Sequence, residues 1–172
     1  MKLKKAVLQD ILTLQKVCKE SYTQVFADHW TENGLTLYLK REFGDKRLSA
    51  ELIDSSIAYY FIIVENENIG FLKINYKSSY KLSELNNCEL EKIYVLPKFS
   101  GKGIGKKVMI ELIGLIKKKQ KKVLFLCVID TNINAISFYK KIGFKFHSKT
   151  RLEIAHFKDE LRGMHRMSLK LT

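Results

Sequence analysis

Apolar residues recur along the chain with two different periods, and the switches between them mark out the elements. Residues 2–7 suit a short strand. After Asp10 the positions Ile11, Leu14, Val17, Cys18 and Tyr22 follow helical spacing, with Asp10 placed as the helix cap. Thr31, three residues before Gly34, offers a cap for a second helix running to Phe43, and a third, short helix covers residues 46–54. Residues 59–64 are aromatic and β-branched, as a strand prefers. Residues 65–68 read as a turn, and residues 69–76 as the returning strand of a hairpin. Residues 77–87 are polar and read as a loop.

Residues 89–96 alternate in strand fashion, with Glu89, Glu91, Ile93 and Val95 on one face and Leu90, Lys92, Tyr94 and Leu96 on the other. After Pro97 the chain turns through Gly101, Gly103 and Gly105 into a helix whose apolar stripe is Ile104, Val108, Leu112, Leu115 and Ile116. Val123–Ile129 is continuously apolar, which suits a strand buried on both faces in a parallel pair. A short helix over residues 133–141 ends at Gly143, a residue suited to the left-handed position after a helix. Strands near residues 144–152 and 163–171 complete the order. That order predicts a mixed α/β or α+β fold, organised as one domain over residues 1–172.

Composition narrows the function classes. The 172 residues are 46% hydrophobic and 28% charged, a globular balance, and no apolar run approaches the roughly 20 residues of a membrane helix. The opening Met1-Lys2-Leu3-Lys4-Lys5 is basic but lacks a following apolar stretch, so no signal peptide is expected and a cytoplasmic location is. Cys18, Cys88 and Cys127 are far apart and include no CxxC pair; they read as small buried hydrophobes, with neither a disulfide nor a metal site expected. The net charge of +13 allows nucleic acid, an anionic membrane surface or an anionic small molecule as partner. Much of the excess lies in the lysine-rich residues 117–122, which close a helix where cations favour the dipole. A basic nucleic-acid-binding module centred there is the distant alternative; the run has no interleaved aromatics for base stacking.

The stretch Ser100-Gly101-Lys102-Gly103-Ile104-Gly105-Lys106 lies between a strand and a helix. Glycines let a ligand approach the backbone, and the first-turn N–H groups of the helix then face it with the favourable end of the dipole. Together with Lys102, Lys106 and Lys107 this predicts an anion site of the kind that takes a pyrophosphate. The spelling excludes a P-loop, because Lys107 stands where Ser or Thr is required. It also excludes a dinucleotide fingerprint, because Lys106 occupies the last glycine position.

Downstream stands Asn132-Ile133-Asn134-Ala135-Ile136-Ser137-Phe138-Tyr139-Lys140-Lys141-Ile142-Gly143-Phe144. Taken with Leu90-Glu91-Lys92-Ile93-Tyr94-Val95 and the glycine loop, it resembles the GNAT superfamily of N-acetyltransferases. The family's loop pattern Q/R-x-x-G-x-G/A is met by residues 100–105 with Ser100 at its first position, and N-x-x-A-x-x-x-Y by Asn132, Ala135 and Tyr139. The resemblance to the family core covers about residues 68–146. Looser similarity, through residues 26–39 and 157–160, extends to PaiA-type spermidine/spermine N-acetyltransferases.

This resemblance implies a mixed, mostly antiparallel sheet of about seven strands flanked by helices and splayed at a cofactor cleft. It implies acetyl-CoA as cofactor, held by Ile93, Tyr94, Val95, Ser100, Gly101, Lys102, Gly103, Ile104, Gly105, Lys106, Asn132, Asn134, Phe138 and Lys141. Direct transfer to an amine in a ternary complex would use Glu91 as general base, with Glu89 as the alternative, and Tyr139 as proton donor to the leaving thiolate. A backbone N–H near residues 93–95 would stabilise the oxyanion, and no cysteine nucleophile would be needed. The acceptor is expected to be a polyamine or other small amine held by Asp28, Trp30, Glu32 and Tyr38. Acetylation of a peptide or protein N-terminus is the alternative within the same chemistry. A homodimer is common in the family.

Overall fold

The computed structural model describes residues 1–78 and 86–171. Its seven strands are β1 (Lys2–Lys5), β2 (Ile57–Val64), β3 (Glu67–Asn75), β4 (Asn87–Val95), β5 (Val123–Ile129), β6 (Lys145–Arg151) and β7 (Gly163–Lys170). They form one sheet in the order β1-β2-β3-β4-β5-β7-β6. The helices are α1 (Ile11–Phe26), α2 (Gly34–Glu42), α3 (Asp45–Ile53), α4 (Ile104–Lys118) and α5 (Ile133–Ile142). Every neighbouring pair of strands is antiparallel except β4 with β5. The mixed, mostly antiparallel α/β architecture read from the sequence is therefore the one observed. Most of the expected loop at residues 77–87 lies outside the described residues.

Strand alternation sends residues to two separate cores. One lies beneath α4 and α5 and joins Ile62, Leu72, Ile74, Leu124 and Leu126 to Val108, Met109, Leu112 and Ile116, all essentially inaccessible to solvent. The other lies beneath α1, α2 and α3 and joins Tyr59, Phe61 and Phe71 to Leu14, Cys18, Phe43 and Leu48. Burying a side chain such as Leu14 or Phe43 contributes roughly 1.5–3 kcal/mol. Both helix layers are thus fixed to the sheet by apolar area rather than by their caps.

The expected side-chain caps are not the ones used. Asp10 makes no cap bond to α1; its Oδ2 accepts from the Val7 N–H (3.1 Å) and its Oδ1 pairs with Lys4 Nζ (3.0 Å), closing the tight turn before the helix. Thr31 Oγ1 donates to the His156 carbonyl (3.1 Å), and α2 starts after Asn33. Gly143 behaves as expected: at φ 108° it closes α5, with the Phe144 N–H donating to the Tyr139 carbonyl (3.0 Å). The lysine-rich run is a helix end that folds back on the sheet. α4 stops at Lys118, and Lys121 Nζ donates to the Tyr76 carbonyl at 2.8 Å.

Two irregularities in β4 set up the functional face. Opposite β3, Lys73 pairs with Lys92 and Ile74 with Leu90, so Glu91 is an extra residue in a β-bulge. One extra residue reverses the alternation beyond it. The expected faces are corrected accordingly: Lys92 and Tyr94 join Glu89 and Glu91 on the α1–α3 side, while Ile93 and Val95 join Leu90 on the α4 side. The second irregularity is the short parallel ladder. β4 pairs with β5 only at Asn87–Val123, Cys88–Leu124 and Glu89–Phe125. Both strands run on past Glu89 and Phe125, and an open cleft takes the place of the ladder.

Candidate active site

The cleft has a volume of about 550 Å³. One wall is β4 from Glu89 to Val95, and the other is β5 from Leu126 to Ile129 with Asn132 and Tyr139. The glycine loop lies at the N-terminal end of α4, immediately downstream of β4. Gly101 and Gly103 have φ of +75° and +72°, a left-handed conformation that side-chain-bearing residues adopt at a cost, and nothing lies within 4 Å of either missing β-carbon. Gly103 occupies the cap position of α4 and offers no side-chain cap. The first-turn N–H groups of Ile104, Gly105 and Lys106 therefore have no acceptor within their helix. Ser100, Lys102, Lys106 and Lys107 are exposed around them. Uncapped donors, left-handed glycines and three lysines make a cradle that fits a diphosphate.

Gly105 serves a different purpose. A β-carbon there would lie 3.2 Å from the Phe138 ring, so the glycine lets α4 and α5 meet. Phe138 in turn packs against Tyr139 (5.3 Å between ring centres), which packs against Phe144 (5.6 Å). Tyr139 is buried at the cleft wall, and burial pushes its phenol up to about 12. Asn132 caps α5, its Oδ1 accepting from the Ala135 N–H at 3.0 Å, which fixes the side chain and leaves its amide NH2 to offer a ligand. Asn134 and Lys141 are exposed on α5, outside the lining of the cleft.

The two carboxylates of β4 have different surroundings. Glu91 is held on both oxygens: Oε2 lies 2.6 Å from Lys73 Nζ, and Oε1 accepts from Asn75 Nδ2 at 3.0 Å. Glu89 accepts from the Ser78 hydroxyl, with no cation in contact among the described residues. Burial and the neighbouring Glu91 raise its carboxyl above the usual range, against the pull of the Ser78 hydroxyl, Arg166 and Lys92. Of the two expected candidates for the base, Glu91 is thus held in an ion pair while Glu89 is held by a hydroxyl. Cys127 is half-buried at the cleft wall rather than sealed in the core, but burial pushes its thiol up, away from the reactive thiolate.

The acceptor-side residues are only partly those expected. Tyr38 lines the cleft beside Tyr22, Phe26, Tyr94 and Phe157. Tyr22 stacks on both Phe26 (4.9 Å) and Tyr38 (4.7 Å), and Tyr94 meets Tyr22 edge-on at 5.4 Å. Trp30 instead lies behind this wall, buried against Tyr38 and Phe157. Asp28 and Glu32 are exposed on the turns flanking Trp30, outside the cleft. The helix that follows them, α2, makes no side-chain cap bond, so neither acid is held at its start. The charges the sequence reading missed are Glu42, Arg47, Glu51, Lys73 and Lys92. Lys73 carried a signal, being the single charge in the apolar residues 69–74. Among the described residues, no cluster of His, Cys, Asp or Glu could hold a metal ion.

Comparison with known proteins agrees with this geometry. Residues 15–144 match the Acetyltransferase (GNAT) family. The chain is 26% identical over 149 residues to a spermidine N(1)-acetyltransferase of Thermoplasma acidophilum, covering 84% of this chain and 88% of the relative. It is 27% identical over 104 residues to a spermine/spermidine N(1)-acetyltransferase of Bacillus subtilis, covering 57% and 68%. Among solved structures, a PaiA N-acetyltransferase of Thermoplasma acidophilum in complex with coenzyme A superimposes with a TM-score of 0.77 over 98% of both chains, at 24% identity. With a family match over most of its length and a sheet that splays where that fold does, the chain belongs to the GNAT acetyltransferase family and is an N-acetyltransferase that uses acetyl-CoA.

Proposed function

We propose that the chain acetylates a primary amine of a small molecule, a polyamine or a comparable amine, by direct transfer within a ternary complex. The observation that carries this reading is the cleft itself. It sets an aromatic wall with carboxylates beside the splayed strands β4 and β5, with the glycine loop just downstream of β4, and the cation of an amine is stabilised by both aromatic faces and carboxylate. The spermidine and spermine acetyltransferases among the relatives suggest which amines to try first.

Acetyl-CoA supplies an activated acetyl thioester. The loop of residues 100–106 would hold its diphosphate, with Ser100 contributing a hydroxyl. Main-chain groups of Ile93, Tyr94 and Val95 and the Asn132 amide would line its pantetheine arm. Glu89 accepts the proton of the incoming ammonium, directly or through a water, so that the free amine can attack. Tyr139 returns a proton to the departing sulfur; burial raises its phenol to about 12, so it carries its proton at neutral pH. Cys127 takes no part, because direct transfer needs no acyl-enzyme.

The test is a screen of spermidine, spermine, simple alkyl amines and short peptides, followed by release of free thiol from acetyl-CoA. Turnover on the small amines with saturation at millimolar or lower concentration is the expected result. Preference for peptides over every small amine would overturn the acceptor assignment, and saturable acetyl-CoA binding without transfer to any amine would overturn the reading as a whole.

A further inference from the structure

Six charged side chains form a closed ring that begins and ends on the β4 bulge. Lys92 Nζ lies 3.3 Å from Glu42 Oε2, and Glu42 Oε1 lies 2.7 Å from Arg47 Nη1. Arg47 Nε lies 3.1 Å from Glu51 Oε1, which also lies 2.8 Å from Lys73 Nζ. Lys73 reaches Glu91 Oε2 at 2.6 Å, and the peptide bond from Glu91 to Lys92 closes the circuit. Signs alternate around the ring, with three cations and three carboxylates. It is mostly buried: the Lys73 side chain is 2% exposed, Glu42 8%, and Arg47, at 40%, is the most open member.

Such a ring is a poor source of net stability, because desolvating buried charges consumes most of what their attraction returns. Its geometry points elsewhere. A bulge interrupts the ladder, so the backbone at Glu91 is not fixed by β3 in the way the rest of β4 is. The ring supplies the missing restraint. It ties the extra residue through Lys73 to Glu51 on α3, ties the next residue to Glu42 on α2, and locks those two helices together through Arg47. The bulge stands between Glu89 and residues 93–95, at the point where β4 leaves β5.

Building on the transfer chemistry proposed for this cleft, we infer that the ring is a positioning device. It holds the bulged backbone, and with it the Glu89 carboxylate, in register with the thioester, while α2 and α3 hold the acceptor wall. Lys73 and Arg47 are then positioning residues that act through the bulge, and neither needs to touch acetyl-CoA or the amine.

The test opens the ring at its most exposed member. Arg47→Met leaves Lys73 with both of its carboxylates, and the folded protein is assayed for amine acetylation, for acetyl-CoA affinity by calorimetry, and for amide hydrogen exchange. The expected result is a fall in kcat of about 10-fold with unchanged acetyl-CoA affinity, since small displacements of reacting groups carry penalties up to about 100-fold. Exchange should quicken across residues 89–94 and stay unchanged in α4, and Arg47→Lys should restore part of kcat. Lys73→Met, which removes the ring's buried centre, should approach the upper figure. Wild-type kcat and wild-type exchange in folded Arg47→Met would overturn the inference, as would a loss of acetyl-CoA affinity equal to the loss of kcat. The exchange measurement judges the ring even if no amine is accepted: faster exchange confined to β4 would support its hold on the bulge while the acceptor reading fell.

Discussion

A β-carbon added to Gly105 would lie 3.2 Å from Cζ of Phe138, so the helix that presents the diphosphate cradle and the helix that presents Tyr139 touch through a glycine. The contact couples the start of α4 through Phe138 to Tyr139 at the cleft wall. Gly105→Ala should be nearly neutral for stability: alanine gains about 1 kcal/mol of helix propensity, and the far end of the Phe138 ring has only a few tenths of an ångström to yield. Gly105→Leu has no such escape. It should force Phe138 aside and weaken acetyl-CoA binding by about 10-fold, in line with the sensitivity of positioned sites to small shifts. Calorimetric titration of both variants, beside their melting temperatures, checks this; equal affinities for the two would reject the coupling.

Gly103→Ala tests the cradle by a different route. Its φ of +72° lies in the left-handed region while open space surrounds the position, so the substitution adds strain without a clash. The strain should cost roughly 1–2 kcal/mol of stability. Because the added methyl stands where a diphosphate would approach the helix terminus, acetyl-CoA affinity should fall as well. A variant that melts lower but binds acetyl-CoA as tightly as the wild type would move the cradle away from Gly103.

The carboxylate pair makes a prediction about pH. Burial and Glu91 raise the Glu89 carboxyl, against the Ser78 hydroxyl, Arg166 and Lys92, so its protonated form persists to a higher pH than in an ordinary glutamate. A general base works only when deprotonated. Activity should therefore be lost as pH falls through this raised value, and the acid limb of kcat/KM should lie above the ordinary glutamate range near 4.3. Glu89→Gln should reduce kcat/KM by roughly 100- to 10,000-fold, the usual reach of general-base catalysis, and leave acetyl-CoA binding intact. An unshifted acid limb together with a fully active Glu89→Gln protein would return the role to Glu91.

How far the sequence carries the structure is clearest in β4. Its existence, its apolar partners and the loop and helix after it follow from local spacing and glycine chemistry, as do α4 and α5 and their terminal signals. The faces of its residues do not follow, because a bulge is decided by pairing with β3, and nothing local in residues 89–96 announces that Glu91 will be the unpaired one. That single insertion exchanges Ile93 and Val95 for Lys92 and Tyr94 on the acceptor side. Three of the four expected acceptor residues lie outside the cleft lining for a related reason, while Tyr38 lines it. Asp28, Trp30 and Glu32 have the right chemistry for a cation, yet Trp30 is drawn into the core behind Tyr38 and carries its acidic neighbours onto the outer surface. Of the carboxylates that do reach the cleft, Glu89 and Glu91 come from β4, and Glu42 comes from the end of α2, whose orientation depends on long-range packing.

Tyr139 separates proton donation from binding. Its phenol is buried between Phe138 and Phe144, and burial alone raises it to about 12. A donor with that value stays protonated through neutral and mildly alkaline pH, so it should set no alkaline limb below about pH 11. Tyr139→Phe keeps the ring and its packing and removes only the proton. Because a thiolate must then leave without help, kcat should fall by roughly 100-fold or more, within the usual range for a positioned acid. Acetyl-CoA affinity should hardly move, since the ring still fills the wall, so kcat and kcat/KM should drop together. Steady-state rates with calorimetry on the same preparations decide the matter. Full turnover in Tyr139→Phe would show that the thiolate takes its proton from water, and a large loss of acetyl-CoA affinity would recast Tyr139 as part of the binding wall.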